Sequence, residues 1–245
     1  MIRNYLFVAT LAIVLVGCQS SPQFSVSGSI ANADGQLLYI EHTGLMRTTV
    51  LDSCVLDEKG DFCFEVESPQ HPDFYRLRVG NRSLPLGIDS IESVEVTTTL
   101  DSLAYTLAIE GSQTSLQMAE LRAKARSVSR EELKAEAKQV IVDNPRSLAA
   151  YYAVFLKQGG EYIWNILDPS DRRMYQAVAT SFHTWMPEYE RTKVLYNQVL
   201  DVLQAERAVK NQAAMREFID NAENAFLDIT LPDEQGDLQS LSDLR

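Results

Sequence analysis

Three cysteines, three histidines and a few paired carboxylates are the residues of this 245-residue chain whose types could do chemistry. Cys54 and Cys63 have eight residues between them. Dithiol exchange uses a Cys-x-x-Cys pair, in which a low-pKa thiolate at a helix N-terminus attacks and its neighbour resolves, so this spacing is no redox motif. His42, His71 and His183 share no metal-ligand spacing and read as surface or capping residues. Glu131 with Glu132, Glu188 with Glu190, and Asp233 with Glu234 have the form of paired acids. Each falls at a predicted helix start or in a turn, where negative charge suits the helix dipole or the turn itself. There is no Gly-x-Ser-x-Gly elbow, Walker loop or Gly-x-Gly-x-x-Gly run. Trp164, Trp185 and the tyrosines fall mostly at core-compatible positions. The expectation is no catalytic, cofactor-binding or metal-binding residue, and no cofactor.

Composition narrows the partners. A net charge of -12 argues against nucleic acid, because phosphate neutralisation needs a Lys/Arg surface. At the start, Arg3 precedes an apolar run from Tyr5 to Val16, too short to span hydrocarbon as a helix and right for the core of a signal peptide. It ends in Leu15-Val16-Gly17-Cys18, which resembles the lipobox of bacterial lipoproteins. The resemblance implies a signal peptide over 1–17, cleavage before Cys18, and lipidation of its sulfur and new amino group. The partner implied is a membrane, reached through the lipid anchor. Gln19 stands where an Asp often retains lipoproteins in the inner membrane, so an outer-membrane lipoprotein facing the periplasm is expected.

Residues 18–23 read as a tether. From Phe24 the pattern is that of short strands: Phe24–Ile30, Gln36–Glu41, Arg47–Leu56, Asp61–Val66, Asp73–Val79, Ser83–Ile88, Ser93–Thr99 and Ala104–Glu110. Asn32 to Gly35 and Asp57 to Gly60 are turns between them. That spacing predicts an antiparallel β-sandwich or open barrel over 24–110. A helical middle region follows over 111–222. Leu116, Met118, Ala119 and Leu121 fit a first helix, and Ser129 with Glu132 makes a capping box for a second, to about Val142. Ala149, Tyr152, Ala153 and Leu156 stripe a third, stopped by Gly159-Gly160. A short helix is expected over Glu161 to Leu167, and another from Asp168-Pro169-Ser170 through Trp185. A long one after Pro187 reaches about Ala222, with Leu195, Val199, Val202 and Glu206 along one edge. No internal repeat is found. The class is α+β.

The two inner cysteines depend on strand register. With Gly60 in a bulge after a type I turn, Leu56 faces Phe62 and Cys54 faces Phe64, so Cys63 points the other way. A loop one residue longer sets the cysteines opposite each other and permits a bridge. The first register makes the better apolar face and favours free thiols.

In the last stretch, Leu227, Ile229 and Leu231 alternate with Asp228 and Thr230, the pattern of a half-buried strand. Pro232 to Gly236 is a turn, Asp237 to Leu241 a return strand, and Ser242 a candidate N-cap. The run Asp233-x-x-Gly236-x-x-x-Ser240-Leu-Ser-Asp-Leu-Arg245 resembles the opening of a TlpA-like thioredoxin-family domain, with Leu227 and Ile229 where Pro and Phe are commoner. The Phe24-x-Val-x-Gly-x-Ile run and the Leu51-Asp-Ser…Leu56-Asp-Glu-Lys-Gly60 run are similar to the β-domain of unknown function that stands ahead of such domains in lipoproteins. Asn144-Pro145-Arg-Ser147 is similar to a run in their helical insert. The resemblance implies that 223–245 is the truncated start of a thioredoxin-like domain. It implies that the complete protein is a thiol–disulfide oxidoreductase of cell redox homeostasis, with periplasmic protein disulfides as partners. The redox Cys-x-x-Cys would follow Arg245, so these 245 residues are expected to be its non-catalytic portion. The alternative from another class is a binding or scaffold lipoprotein without enzymatic activity.

Overall fold

The computed structural model describes residues 22–224 and 229–244. Cys18, the signal segment and Leu227 lie outside the described residues. The chain is α+β and divides into two compact units, Met1–Ser127 and Val128–Arg245.

In the first unit, short alternating segments form β1 (Gln23–Ala31), β2 (Leu37–Thr43), β3 (Thr48–Val55), β4 (Asp61–Glu67), β5 (Asp73–Val79), β6 (Arg82–Ile88), β7 (Ser93–Thr99) and β8 (Ile109–Glu110). They build two four-stranded sheets, β4-β1-β7-β8 and β3-β2-β5-β6. The inward residues of both, among them Phe24, Val26, Val94 and Val96 from one sheet and Leu38, Ile40, Leu77 and Leu84 from the other, close a single core. This is the expected sandwich, with one departure from antiparallel order. β1 and β7 run parallel, because β7 enters from the other sheet and not through a hairpin with β1. Gly28 makes that pairing possible. Its φ is +141°, and a Cβ there would lie 1.9 Å from the Val96 carbonyl oxygen.

Two expectations for this unit need correction. The Asp57–Gly60 turn does not join a paired hairpin: β3 and β4 lie in different sheets, so the chain crosses from one layer to the other at Gly60 (φ +73°). The Gly60 carbonyl accepts from the Ile30 N–H at 2.9 Å, and a Cβ on Gly60 would collide with the Ile30 carbonyl. Leu56, Phe62, Phe64 and Cys54 do share an apolar surface, but they meet across the sandwich and not along a ladder. The strand expected over Ala104–Glu110 shrinks to β8, because Leu103–Tyr105 forms a 3-10 turn that buries Leu103.

Helix α1 (Gln113–Ser127) closes the first unit. Met118, Ala119 and Leu121 are buried, and the helix packs on β6, with the Ser115 hydroxyl bonded to both the N–H and the carbonyl of Gly87 at 3.0 Å. The second unit holds α2 (Arg130–Asp143), α3 (Leu148–Val154), the strand pair β9 (Lys157–Gln158) and β10 (Glu161–Tyr162), α4 (Pro169–Trp185), α5 (Glu190–Asn224), and the pair β11 (Thr230–Pro232) and β12 (Leu238–Ser240). The caps behave as their residue types dictate. Ser129 and Glu132 form the reciprocal capping box, and Asp168 caps α4 ahead of Pro169. The short helix expected over Glu161–Leu167 is not formed. Gly159 (φ +61°) and Gly160 (φ +90°) instead turn the chain into the β9–β10 hairpin, the conformation two adjacent glycines favour.

Candidate functional site

The chemistry-bearing side chains are spread over the sandwich rather than gathered. Cys54 on β3 is half-buried against the core, Cys63 on β4 is exposed, and both are free thiols. Burial and the neighbouring Asp52 carboxylate push the Cys54 thiol above its ordinary value, away from the thiolate that exchange chemistry requires.

A buried polar cluster stands on β2 and β5. A register shift between Ile40 and Glu41 buries both of these neighbours. The Glu41 carboxylate accepts from Arg76 Nε at 2.5 Å, Arg78 Nε at 2.8 Å and Arg78 Nη2 at 2.7 Å. Arg78 also lies over the Tyr39 ring, 4.2 Å from its centre. Burial alone would raise the Glu41 pKa, but the hydrogen bonds and charges of the two guanidiniums outweigh it and hold the group below the usual glutamate range. The arrangement is a carboxylate that fixes two half-exposed arginines.

At the neighbouring end of β2, His42 Nε2 lies 2.7 Å from Asp73 Oδ2, and the ring sits beside Tyr75. His183 stacks on Tyr196 at 4.1 Å, and His71 lies in the loop before β5. The structure does not bring the three histidines together, and among the described residues no group of three or more His, Cys, Asp or Glu could hold a metal. Of the paired acids, Glu132 belongs to a capping box, Glu188 pairs with Lys193, Glu190 opens α5, and Asp233 accepts from the N–H groups of Gln235 and Asp237 within its turn. Trp164 is buried, with Nε1 donating to the Ala153 carbonyl at 3.0 Å. Trp185 is exposed, beneath Arg146.

What the second unit offers is surface. β11 and β12 pair as the sequence predicts, with Leu231 opposite Gln239. The expected half-burial does not hold, since Ile229, Leu231, Leu238 and Leu241 are all exposed. A shallow cleft of about 270 Å³ runs along Ile229, Leu231 and Leu241. Ser242 does not cap a helix. The closing 3-10 turn already begins at Leu241, and Asp243 accepts from the Ser240 N–H. On α5, Leu195 and Val199 are buried, and the helix packs on α4. From Arg207 to Asn221 every residue is exposed, including Val209, Met215, Phe218 and Ile219. Periodicity finds an apolar stripe but not whether anything covers it, which is why the sequence left this face unmarked.

Residues 24–118 match a family described as a domain of unknown function (DUF4369). The match spans the sandwich and the opening turns of α1. No curated protein matches the chain. Among solved structures, similarity is found to a 9R-lipoxygenase from Cyanothece PCC8801, with 12% identity and a TM-score of 0.24. The likeness covers 51% of this chain and 25% of that one, so this chain matches about a quarter of the lipoxygenase's length. A likeness this slight carries no argument.

Proposed function

We propose that these residues are the lipid-anchored, non-catalytic portion of a TlpA-like thiol–disulfide oxidoreductase of the periplasm. Their role is to hold a thioredoxin-like domain at the outer membrane. The observation that carries this reading is the β11–β12 hairpin. Its order of strand, Pro-Asp-Glu-Gln-Gly turn, return strand and Ser-Leu-Ser-Asp-Leu run resembles the opening of such a domain, and its four apolar side chains lie open. Apolar strands of this kind gain stability only when something packs on them. The match of 24–118 to the domain of unknown function, which the sequence resemblance sets ahead of thioredoxin-like domains in lipoproteins, supports the same reading. Cys18 is the anchor. Cys54 and Cys63 take no part in exchange, one being half-buried with a raised pKa and the pair lacking the Cys-x-x-Cys spacing.

The coding DNA past the Arg245 codon tests this. A frame that continues into an apolar strand and Cys-x-x-Cys supports it. A stop codon with no such sequence downstream overturns it. The 245-residue chain is expected to show no turnover in an insulin-reduction assay, and turnover would contradict the assignment of the chemistry to residues outside it.

The exposed half of α5 favours a second reading, a binding or scaffold lipoprotein. It is distinguished by association in solution without any redox partner.

A further inference from the structure

α5 carries two apolar stripes on different sides. At 100° per residue, Leu195 and Val199 point nearly opposite to Met215 and Ile219. The first stripe is buried, on a helix that packs on α4. The second, over Ala205, Ala208, Gln212, Met215 and Ile219, repeats every three and four residues, the spacing of a helix–helix seam. Nothing in the second unit covers it among the described residues, since 207–221 are exposed throughout. That is about 22 Å of helix. Near its start the stripe opens into a cleft of about 640 Å³ between α4 and α5, walled by Leu167, Val202, Ala205 and Val209.

We propose that this half of α5 pairs antiparallel with the same segment of a second copy, about a two-fold axis at Gln212. Three observations select this occupant. The stripe is small at one end and large at the other: Ala205 and Ala208 lie as far before Gln212 as Ile219 and Met215 lie after it, to within one residue. An antiparallel copy therefore sets Ile219 on Ala205, Met215 on Ala208, and one Gln212 amide against the other, whose donors and acceptors are self-complementary. A parallel copy would oppose alanine to alanine and leave a gap. The rim also agrees: the same register brings Arg216 of one copy toward Glu206 of the other, and Phe218 over Arg207. Across residues 206–220 the three basic residues (Arg207, Lys210, Arg216) balance the three acidic ones (Glu206, Glu217, Asp220). That balance suits a like copy better than an anionic lipid surface, which selects an excess of Lys and Arg.

Met215 and Ile219, 59% and 48% exposed, lie in the seam itself, and Val209 and Phe218, 66% and 70% exposed and half a turn apart, flank it on either side.

The test uses the full chain in detergent, with Cys54→Ser and Cys63→Ser removing competing thiols. At about 20 µM, light scattering should give twice the single-chain mass, and Met215→Glu with Ile219→Glu should weaken association roughly 100-fold with unchanged circular dichroism. Gln212→Cys should cross-link between copies under mild oxidation. Glu217→Cys, on the opposite side of the helix, should not. A single-chain mass, equal cross-linking at both positions, or a dimer indifferent to the two glutamates overturns the pairing, as does protection of the stripe only in lipid vesicles. This inference does not depend on the oxidoreductase reading. The sequence past Arg245 decides that one, and the mass decides this one.

Discussion

At the scale of single residues, two glutamates make opposite use of burial. Glu41 is buried with two guanidiniums, which hold its pKa below the usual range. A group with a lowered folded pKa adds stability that is present above its unfolded value and lost as pH falls through the folded one. Glu41→Gln is therefore expected to cost about 2 kcal/mol at neutral pH, less than for a fully buried pair because Arg76 and Arg78 are partly hydrated. The difference from wild type should shrink in urea melts as pH drops below the ordinary glutamate value. Persistence of the full difference in acid would refute the assignment.

Glu92 is the converse. Burial raises its pKa, and the nearby Asp89 charge adds to the rise, against the pull of hydrogen bonds from the Asp89 N–H, the Ser112 hydroxyl and the Ser90 N–H. Its ionised form is disfavoured in the fold, so stability is greatest below the ordinary glutamate value and falls as pH rises through the raised pKa. Glu92→Gln keeps an acceptor for the Asp89 N–H, which Oε1 now bonds at 2.7 Å. Its thermal midpoint should exceed wild type by a few degrees at neutral pH and match it near pH 4. A variant less stable than wild type at both pH values would show that the ionised carboxylate is favoured in the fold. Neither effect could be read from the sequence. Glu41 lies in an alternating strand like any surface glutamate, and only the β2 register shift turns it inward.

Elements were far more legible, because their signals are local. The capping box Ser129…Glu132, Asp168 before Pro169, and the turn at Asn32 (φ +62°) are each decided by side chains within four residues. Ser129→Ala should destabilise the second unit by about 1 kcal/mol, measured by thermal melts, and Ser129→Asp should largely restore it. An alanine variant with wild-type stability would show that the box is ornamental. The failures at this scale share a cause. Gly159-Gly160 marks a break in either case, and periodicity cannot say whether the chain then resumes as helix or folds back as the β9–β10 hairpin. The stretch 104–110 has strand composition, but the core under it takes Leu103 from a 3-10 turn.

At the scale of the whole molecule, charge is the property that needs no tertiary knowledge. With a formal net charge of -12 over the chain, duplex DNA should not be retarded in a gel at physiological salt, and a shifted band would refute this. The arrangement of strands is the opposite case. A count of short strands predicts two layers. It does not predict that β3 and β4, neighbours in sequence, belong to different sheets, or that β1 runs parallel to β7.

The sequence by itself determined the α+β class, the positions of nearly all strands and helices, the caps of α2 and α4, and the absence of a Cys-x-x-Cys, because each is written in residue types and short spacings. Only the tertiary structure decided which strands pair, that Glu41 is buried between two arginines, and that Cys54 and Cys63 lie in different sheets. It also decided that the apolar faces of the β11–β12 hairpin and the second half of α5 are exposed among the described residues. Pairing and burial are settled by contacts between residues far apart in the chain, and an apolar stripe looks the same in sequence whether or not a partner covers it.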